Sequence, residues 1–184
     1  MGSTTAEGDV IQILLSQHGR IRELFADVKS AEGRHKQQAF DELRALLAVH
    51  ETAEEMIVRP VSKKIAGEAI ADARNKEEDE ANHVLAELEK MDVSSADFDR
   101  QLAEFEKAVN THAENEESQE FPRLREGLEE NQRTKMGAAL KAAEAVAPTH
   151  PHPSTAGSPA AQWAVGPFAS IVDRAKDAVK KAMS

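Results

Sequence analysis

Apolar residues recur along this chain at helical spacing, and four long stretches carry the pattern before residue 125. From about Asp9 to Ser30, the residues Ile11, Leu14, Ile21, Phe25 and Val28 share one face, behind Asp9 as an N-cap with Gln12 three residues on. From about His35 to Arg59 the face is Phe40, Leu43, Leu47 and Ile57, with Val61 beyond it. Pro60 is expected to end this helix, because a proline ring disfavours helical backbone at the residue before it. A third helix, roughly Glu68 to Met91, has Ile70, Val84, Leu88 and Met91 as its apolar positions, and a fourth, from Ser95 or Asp97, has Phe98, Leu102, Phe105 and Val109. Short connections between four such helices predict an all-α fold, an antiparallel up-down-up-down four-helix bundle.

Beyond Pro122 a helical continuation is expected through Leu124, Leu128, Met136, Leu140 and Val146, so the bundle with its extension spans 9–146. Residues 147–162 are rich in Pro, Ser and Gly and too poor in apolar groups to pack, which predicts a linker. Over 163–184 an amphipathic C-terminal helix is predicted, with Phe168, Ile171, Val172, Val179 and Met183 opposite Arg174, Lys176, Lys180 and Lys181. Trp163 and Phe168 are expected to anchor it on the bundle; its alternative use is to dock a protein partner.

Composition narrows the chemistry. Of 184 residues, 33 are Asp or Glu and 23 Lys or Arg, a net charge of −10 that argues against a phosphate-backbone partner, so no nucleic acid is expected. The absence of cysteine excludes disulfides and thiolate metal sites, leaving imidazole and carboxylate as the metal donors. The polar start MGSTTAEGDV has no apolar leader core and no stretch has the length of a membrane span, so a soluble, cytoplasmic protein without a membrane partner is expected. There is no Gly-rich phosphate loop and no nucleotide fingerprint. The pair His150 and His152 sits in the linker without a carboxylate and is read as loop.

The chemistry concentrates in a repeat. His50 and Glu54 stand four apart, as do His112 and Glu116; each pair has a second Glu behind it (Glu55, Glu117) and a proline six residues past the first Glu (Pro60, Pro122). Residues four apart on a helix project from one face about 6 Å apart along the axis. Both pairs fall within the apolar stripe of their helix, and His18 falls within the stripe of the first. Burying imidazoles and carboxylates costs several kcal/mol per uncompensated charge, roughly, unless they pair or bind metal. Three imidazoles and two carboxylates aimed at one core from three helices point to a metal site between the helices.

With His18, HETAEE (50–55), EEDEANH (77–83) and HAENEESQEFP (112–122), the chain over about residues 9–125 resembles the hemerythrin-like, or HHE cation-binding, domain family. The resemblance implies a four-helix bundle around two iron ions in an oxo- or hydroxo-bridged, non-haem di-iron centre. His18 and His50 would serve one iron and His112 the other, with Glu54 and Glu116 as bridges. The third helix departs from the family, which usually has a His there. His83 lies roughly 130° from the centre of the apolar arc and is read as a surface residue, whereas Glu77 is near the centre with Glu78 and Glu80 on its flanks. Aligning the VLAEL segment with the family's leucine-rich stretch puts Glu78 where that His would stand, which makes Glu78 the expected ligand and Glu77 the second choice. Glu51 is either one more carboxylate ligand or half-exposed helix surface.

The implied partners are O2, peroxide or another small diatomic ligand. A carboxylate in place of an imidazole is a harder, anionic donor that favours ferric iron, so oxidase or peroxidase- and catalase-like peroxide decomposition is expected over reversible O2 storage. Two other readings stand beside it: an iron or O2 sensor that signals through the C-terminal helix, and an unmetallated structural bundle.

Overall fold

The computed structural model describes residues 8–150, and their backbone is helical almost throughout. The helices are α1 (Val10–Ser30), α2 (Gly33–Ile57), α3 (Arg59–Ile65), α4 (Glu68–Leu88), α5 (Ala96–Asn115), α6 (Phe121–Gly127) and α7 (Glu130–Glu144), and a π-helical turn, Glu116–Glu120, joins α5 to α6. The long helices close a ring: α1 packs on α2 and α5, and α4 packs on α2 and α5. This is the expected all-helical bundle. No described helix is long and apolar enough to cross a membrane.

The apolar stripes meet in two separate cores. One gathers Leu14, Ile57, Val61, Phe121 and Leu140 among others. The second gathers Ile21, Phe25, Phe40, Leu47, Leu85, Phe105 and Val109. Edge-to-face pairs, Phe25 with Phe105 at 5.8 Å and Phe40 with Phe98 at 5.0 Å, lock the second core; such pairs add about 0.5–1.5 kcal/mol beyond their buried area. Between the two cores every helix of the bundle carries polar side chains inward: His18 on α1, His50 and Glu54 on α2, Glu78 on α4, His112 on α5.

Several boundaries differ from expectation for local reasons. The second helix ends at Ile57 instead of Arg59, Val58 makes the break, and Pro60 stands in the first turn of α3, where its missing N–H forfeits no helical bond. The buried stripe of α4 is Ala71, Arg74, Glu78, Ala81, Leu85 and Leu88, while Ile70, Val84 and Met91 are only half-buried. The alanines carry little hydrophobic weight, so an arc drawn through the larger residues is displaced toward Glu77. The continuation past Pro122 is two helices, because Leu128 turns extended (φ −123°, ψ 134°) and Glu129 opens α7 with a capping box to Gln132.

α7 packs across α1 and α2. Asp9 ties its start to the bundle: one carboxylate oxygen accepts from the Ile11 N–H at 2.9 Å, capping α1, and the other accepts from Arg133 Nε at 2.6 Å. Gly137 allows the closest approach, since a Cβ there would stand 2.0 Å from the carbonyl oxygen of Gly8. Most of the expected linker and all of the expected C-terminal helix lie outside the described residues. His150, just inside them, places Nδ1 2.7 Å from Glu89 Oε1 on the surface.

Candidate metal centre

The polar layer between the two cores is assembled from every long helix. Ser95 caps α5 through the Phe98 N–H, and the helix phase set there runs Phe98, Leu102, Phe105, Val109 inward and carries His112 to the same face. The π turn then keeps both Glu116 and Glu120 fully buried. A π turn accommodates one extra residue in a helix and is a frequent feature of functional sites.

All six residues singled out from the sequence converge. Donor atoms of His18, His50 and Glu116 lie within 4.8 Å of one another, and so do those of Glu54, Glu78, His112 and Glu116, so Glu116 belongs to both groups. Its two oxygens divide the work: Oε2 is 3.3 Å from His18 Nε2, and Oε1 is 3.2 Å from His112 Nε2. Glu54 Oε2 is 3.5 Å from His50 Nε2, and Glu78 Oε1 is 3.8 Å from His112 Nε2. These approaches are close without hydrogen-bond alignment. Among the described residues, His18 Nε2, His112 Nε2, both Glu54 oxygens and Glu116 Oε2 are buried with no hydrogen-bond partner.

Leaving such atoms unpaired costs about 1–3 kcal/mol each, more for charged groups. Imidazole nitrogens and carboxylate oxygens gathered within 4.8 Å of one another are what a transition-metal cation of N/O preference needs. The residues present therefore fit a metal centre.

Behind the inner atoms stands a second ring. His18 Nδ1 is 2.8 Å from Glu117 Oε1, which also accepts from Arg22; His112 Nδ1 is 2.8 Å from Glu77 Oε2, whose other oxygen accepts from Arg74 and Asn115. His50 Nδ1 is 2.7 Å from Gln17 Oε1. Holding Nδ1 as a donor leaves Nε2 as the nitrogen that faces a metal, which would displace any proton on it. Glu77, the second choice for the third-helix ligand, thus supports His112 from behind, while Glu80 and His83 are exposed and His83 Nδ1 turns to the Asp79 carbonyl of its own helix. Glu51 is buried instead of half-exposed.

Arg59 and Glu120 were not singled out from the sequence. The Arg59 guanidinium is buried, donates to both oxygens of Glu120 at 3.0 and 2.9 Å, and donates to Glu116 Oε1 at 3.2 Å and to Glu78 Oε1. It supplies a fixed positive charge to a layer crowded with carboxylates. Glu120 had a signal, since it continues the four-residue series His112, Glu116. Arg59 had none, because the break at Val58 sets its direction.

Burial and mutual charge set the ionisation. Burial, then the His18 imidazole, pushes His50 down to about 3, which keeps it neutral. Burial would also lower His112, but the Glu116 carboxylate, Glu77 and Glu78 outweigh it and hold His112 up at about 11. Burial would raise Glu116, yet His112, His18 and Arg59 hold it well below the usual carboxylate range. Glu54 is raised by burial and by Glu116, and Glu51 is pushed up to about 8 by burial and by Glu78.

A partly open pocket reaches this layer. His18, His50, Glu51, Asn110 and His112 line it together with the apolar side chains of Ile21, Leu47, Ala81, Val109 and Ala113. It suits a small, weakly polar ligand.

Comparison with known proteins agrees with the geometry. The hemerythrin HHE cation-binding domain matches residues 9–124, the span that holds all six inner residues. An uncharacterised hemerythrin-like protein of Schizosaccharomyces pombe is 28% identical over 138 residues, 73% of this chain and 68% of that protein. A protein of a Nostoc species named as a DNA nickase is 23% identical over 144 residues, 78% of this chain but only 41% of its own length. No solved structure matches the chain significantly. By the match of its bundle, the chain belongs to the hemerythrin HHE cation-binding domain family.

Proposed function

We propose that this protein holds two iron ions in the polar layer and reacts there with O2, peroxide or a related small oxidant. The observation that carries the reading is the placement of Glu116, a carboxylate held ionised and shared by two groups of buried donors, several of whose atoms have no other partner. His18 and His50 would serve one ion and Glu78 and His112 the other, with Glu54 and Glu116 between them. Bound iron would supply one-electron redox chemistry toward the oxidant. The chain's own residues orient the imidazoles through Nδ1, seal the layer from water with an apolar core on either side, and admit a small ligand through the apolar pocket.

Glu78 carries the finer reading. Buried at the third-helix position, it makes the donor set richer in carboxylate and supports ferric iron, hence oxidation or peroxide decomposition over reversible storage. Metal analysis and absorption spectra of the purified protein, before and after peroxide, test the centre itself. Two irons per chain with near-ultraviolet absorption are expected; a protein that takes up no iron overturns the reading. Mixing the reduced protein with O2 in a stopped-flow instrument tests the preference: irreversible oxidation is expected, and an adduct that releases O2 under vacuum counts against it.

A further inference from the structure

The three imidazoles of the layer are not held alike. His18 and His112 each face a carboxylate at Nδ1, Glu117 and Glu77, and an ionised carboxylate can only accept. At those two residues the carboxylate itself fixes Nδ1 as the donor. His50 faces the side-chain amide of Gln17 at 2.7 Å, and an amide offers an acceptor or a donor according to which way it is turned. Gln17 alone leaves the His50 tautomer open.

Glu144 closes it. Gln17 Nε2 donates to Glu144 Oε1 at 2.5 Å, and since that carboxylate only accepts, the NH2 end of the amide must face it. The carbonyl end then faces His50, Nδ1 must carry the proton, and the lone pair is left on Nε2, beside Glu54 Oε2 at 3.5 Å. Turning the amide over would set two oxygens against each other at the Glu144 end and protonate His50 at Nε2, where it could no longer ligate. Glu144 is the last residue of α7, a helix that lies beyond residue 124, where the family domain ends.

We propose that Gln17 and Glu144 are positioning residues for His50: a relay through which the added helix α7 keeps one imidazole ready for metal, and through which metal at His50 tightens the docking of α7. The proposal rests on the metal-centre reading above. The reciprocal half follows from linkage, because a contact that favours metal binding is itself favoured by the metal. α7 is held independently by Arg133 on Asp9 and by the burial of Met136, Ala139, Leu140 and Ala143, so removal of the Glu144 carboxylate leaves the helix attached.

The test uses the full chain and cobalt(II) as probe, with affinity read by chelator competition, coordination by the visible cobalt spectrum, and α7 docking by amide hydrogen exchange. E144A is expected to weaken one cobalt site by up to about 10-fold, the low end of what removing a group in contact with a metal-bound His costs, because Gln17 stays against His50, and to change its spectrum while the other site is unmoved. Q17E alone brings two carboxylates together and should loosen α7. The double variant Q17E/E144Q rebuilds the relay, since a carboxylate at 17 accepts from both His50 and the amide at 144, and should recover affinity and spectrum. Cobalt should slow exchange in α7 more in the wild type than in E144A, where only the general stabilisation of the folded state remains. Unchanged affinity and spectrum in E144A overturn the proposal alone, as does a failure of the double variant to recover them. A wild type that takes up no cobalt overturns the metal reading and the proposal with it.

Discussion

Glu116 and Arg59 show how single side chains set the balance of this site. Because Glu116 belongs to both donor groups and His18 to one, E116A is expected to cost both metals and H18A only one, as measured by metal stoichiometry after reconstitution. H83A is the control: its imidazole is exposed and bonded to its own helix, so metal content should be unchanged, and a loss would reopen the choice of Glu78 on α4. Arg59 is the buried counter-charge to Glu78, Glu116 and Glu120. Removing one partner of a buried ion pair costs about 3–5 kcal/mol, because the other charge stays buried. R59M should therefore lower the melting temperature of the metal-free protein, and lower it less once metal supplies the missing positive charge. His18, His50, Glu54, His112 and Glu116 could be named from the sequence because each stands in phase with an apolar stripe. Arg59 could not, since five residues past Glu54 an unbroken helix would point it elsewhere.

At the scale of the helix, the π turn is the junction that matters. It joins α5, which brings His112 inward, to α6, which brings Phe121 against the His18 ring at 5.7 Å, and it keeps Glu120 on Arg59. Ser118 is exposed in this turn. Deleting it should let the segment relax to an α-helix that keeps α6 in phase with α5 but shortens the spacing from Glu116 to Glu120 from four residues to three, disturbing the seat of Glu120 on Arg59. Loss of both thermal stability and metal content is the expected result; a variant that keeps both would show that the extra residue is not what places Glu120. Gly137 is the corresponding point on α7. Its backbone passes so close to Gly8 that G137A should cost about 1–3 kcal/mol in denaturant titration, a cost of overpacking. The α4 stripe shows where pattern reading loses precision: Ala71 and Ala81 mark the buried face only weakly, and the one-residue ambiguity between Glu77 and Glu78 follows from that.

Across the whole molecule, the acidic layer makes metal-free stability depend on pH. Glu51 at about 8 and Glu55 at about 7 are raised, by burial first and by Glu78, above an ordinary value of 4.5, and Glu54 shifts the same way. The folded state thus holds these protons more tightly than the unfolded chain, and their contribution is lost as pH rises through 7 and 8. His112, at about 11 against an ordinary 6.5, adds a loss of the same sign above 6.5, whereas His50, lowered to about 3, opposes only below 6.5. Denaturant titrations of the metal-free protein at pH 6.5 and 8 should show stability falling across that interval; a rise would contradict the assignment. A bound cation should reverse the trend, because it binds the deprotonated ligands and only in the folded state.

The helical period, the inward faces of α1, α2 and α5 and the paired His-x-x-x-Glu spacing could all be read from the linear order of residues. Periodicity is a local property: it depends on neighbours within a few turns, and a polar residue in phase with an apolar stripe announces its own burial. The break at Val58, the counter-charge of Arg59 and the groups behind each imidazole could not be read in this way. Glu117 reaches His18 across 99 residues and Glu144 reaches Gln17 across 127, and nothing in the spacing of either pair marks the contact. Those partnerships exist because packing two apolar cores around a polar layer makes the groups behind the imidazoles take their partners from whichever helix lies adjacent.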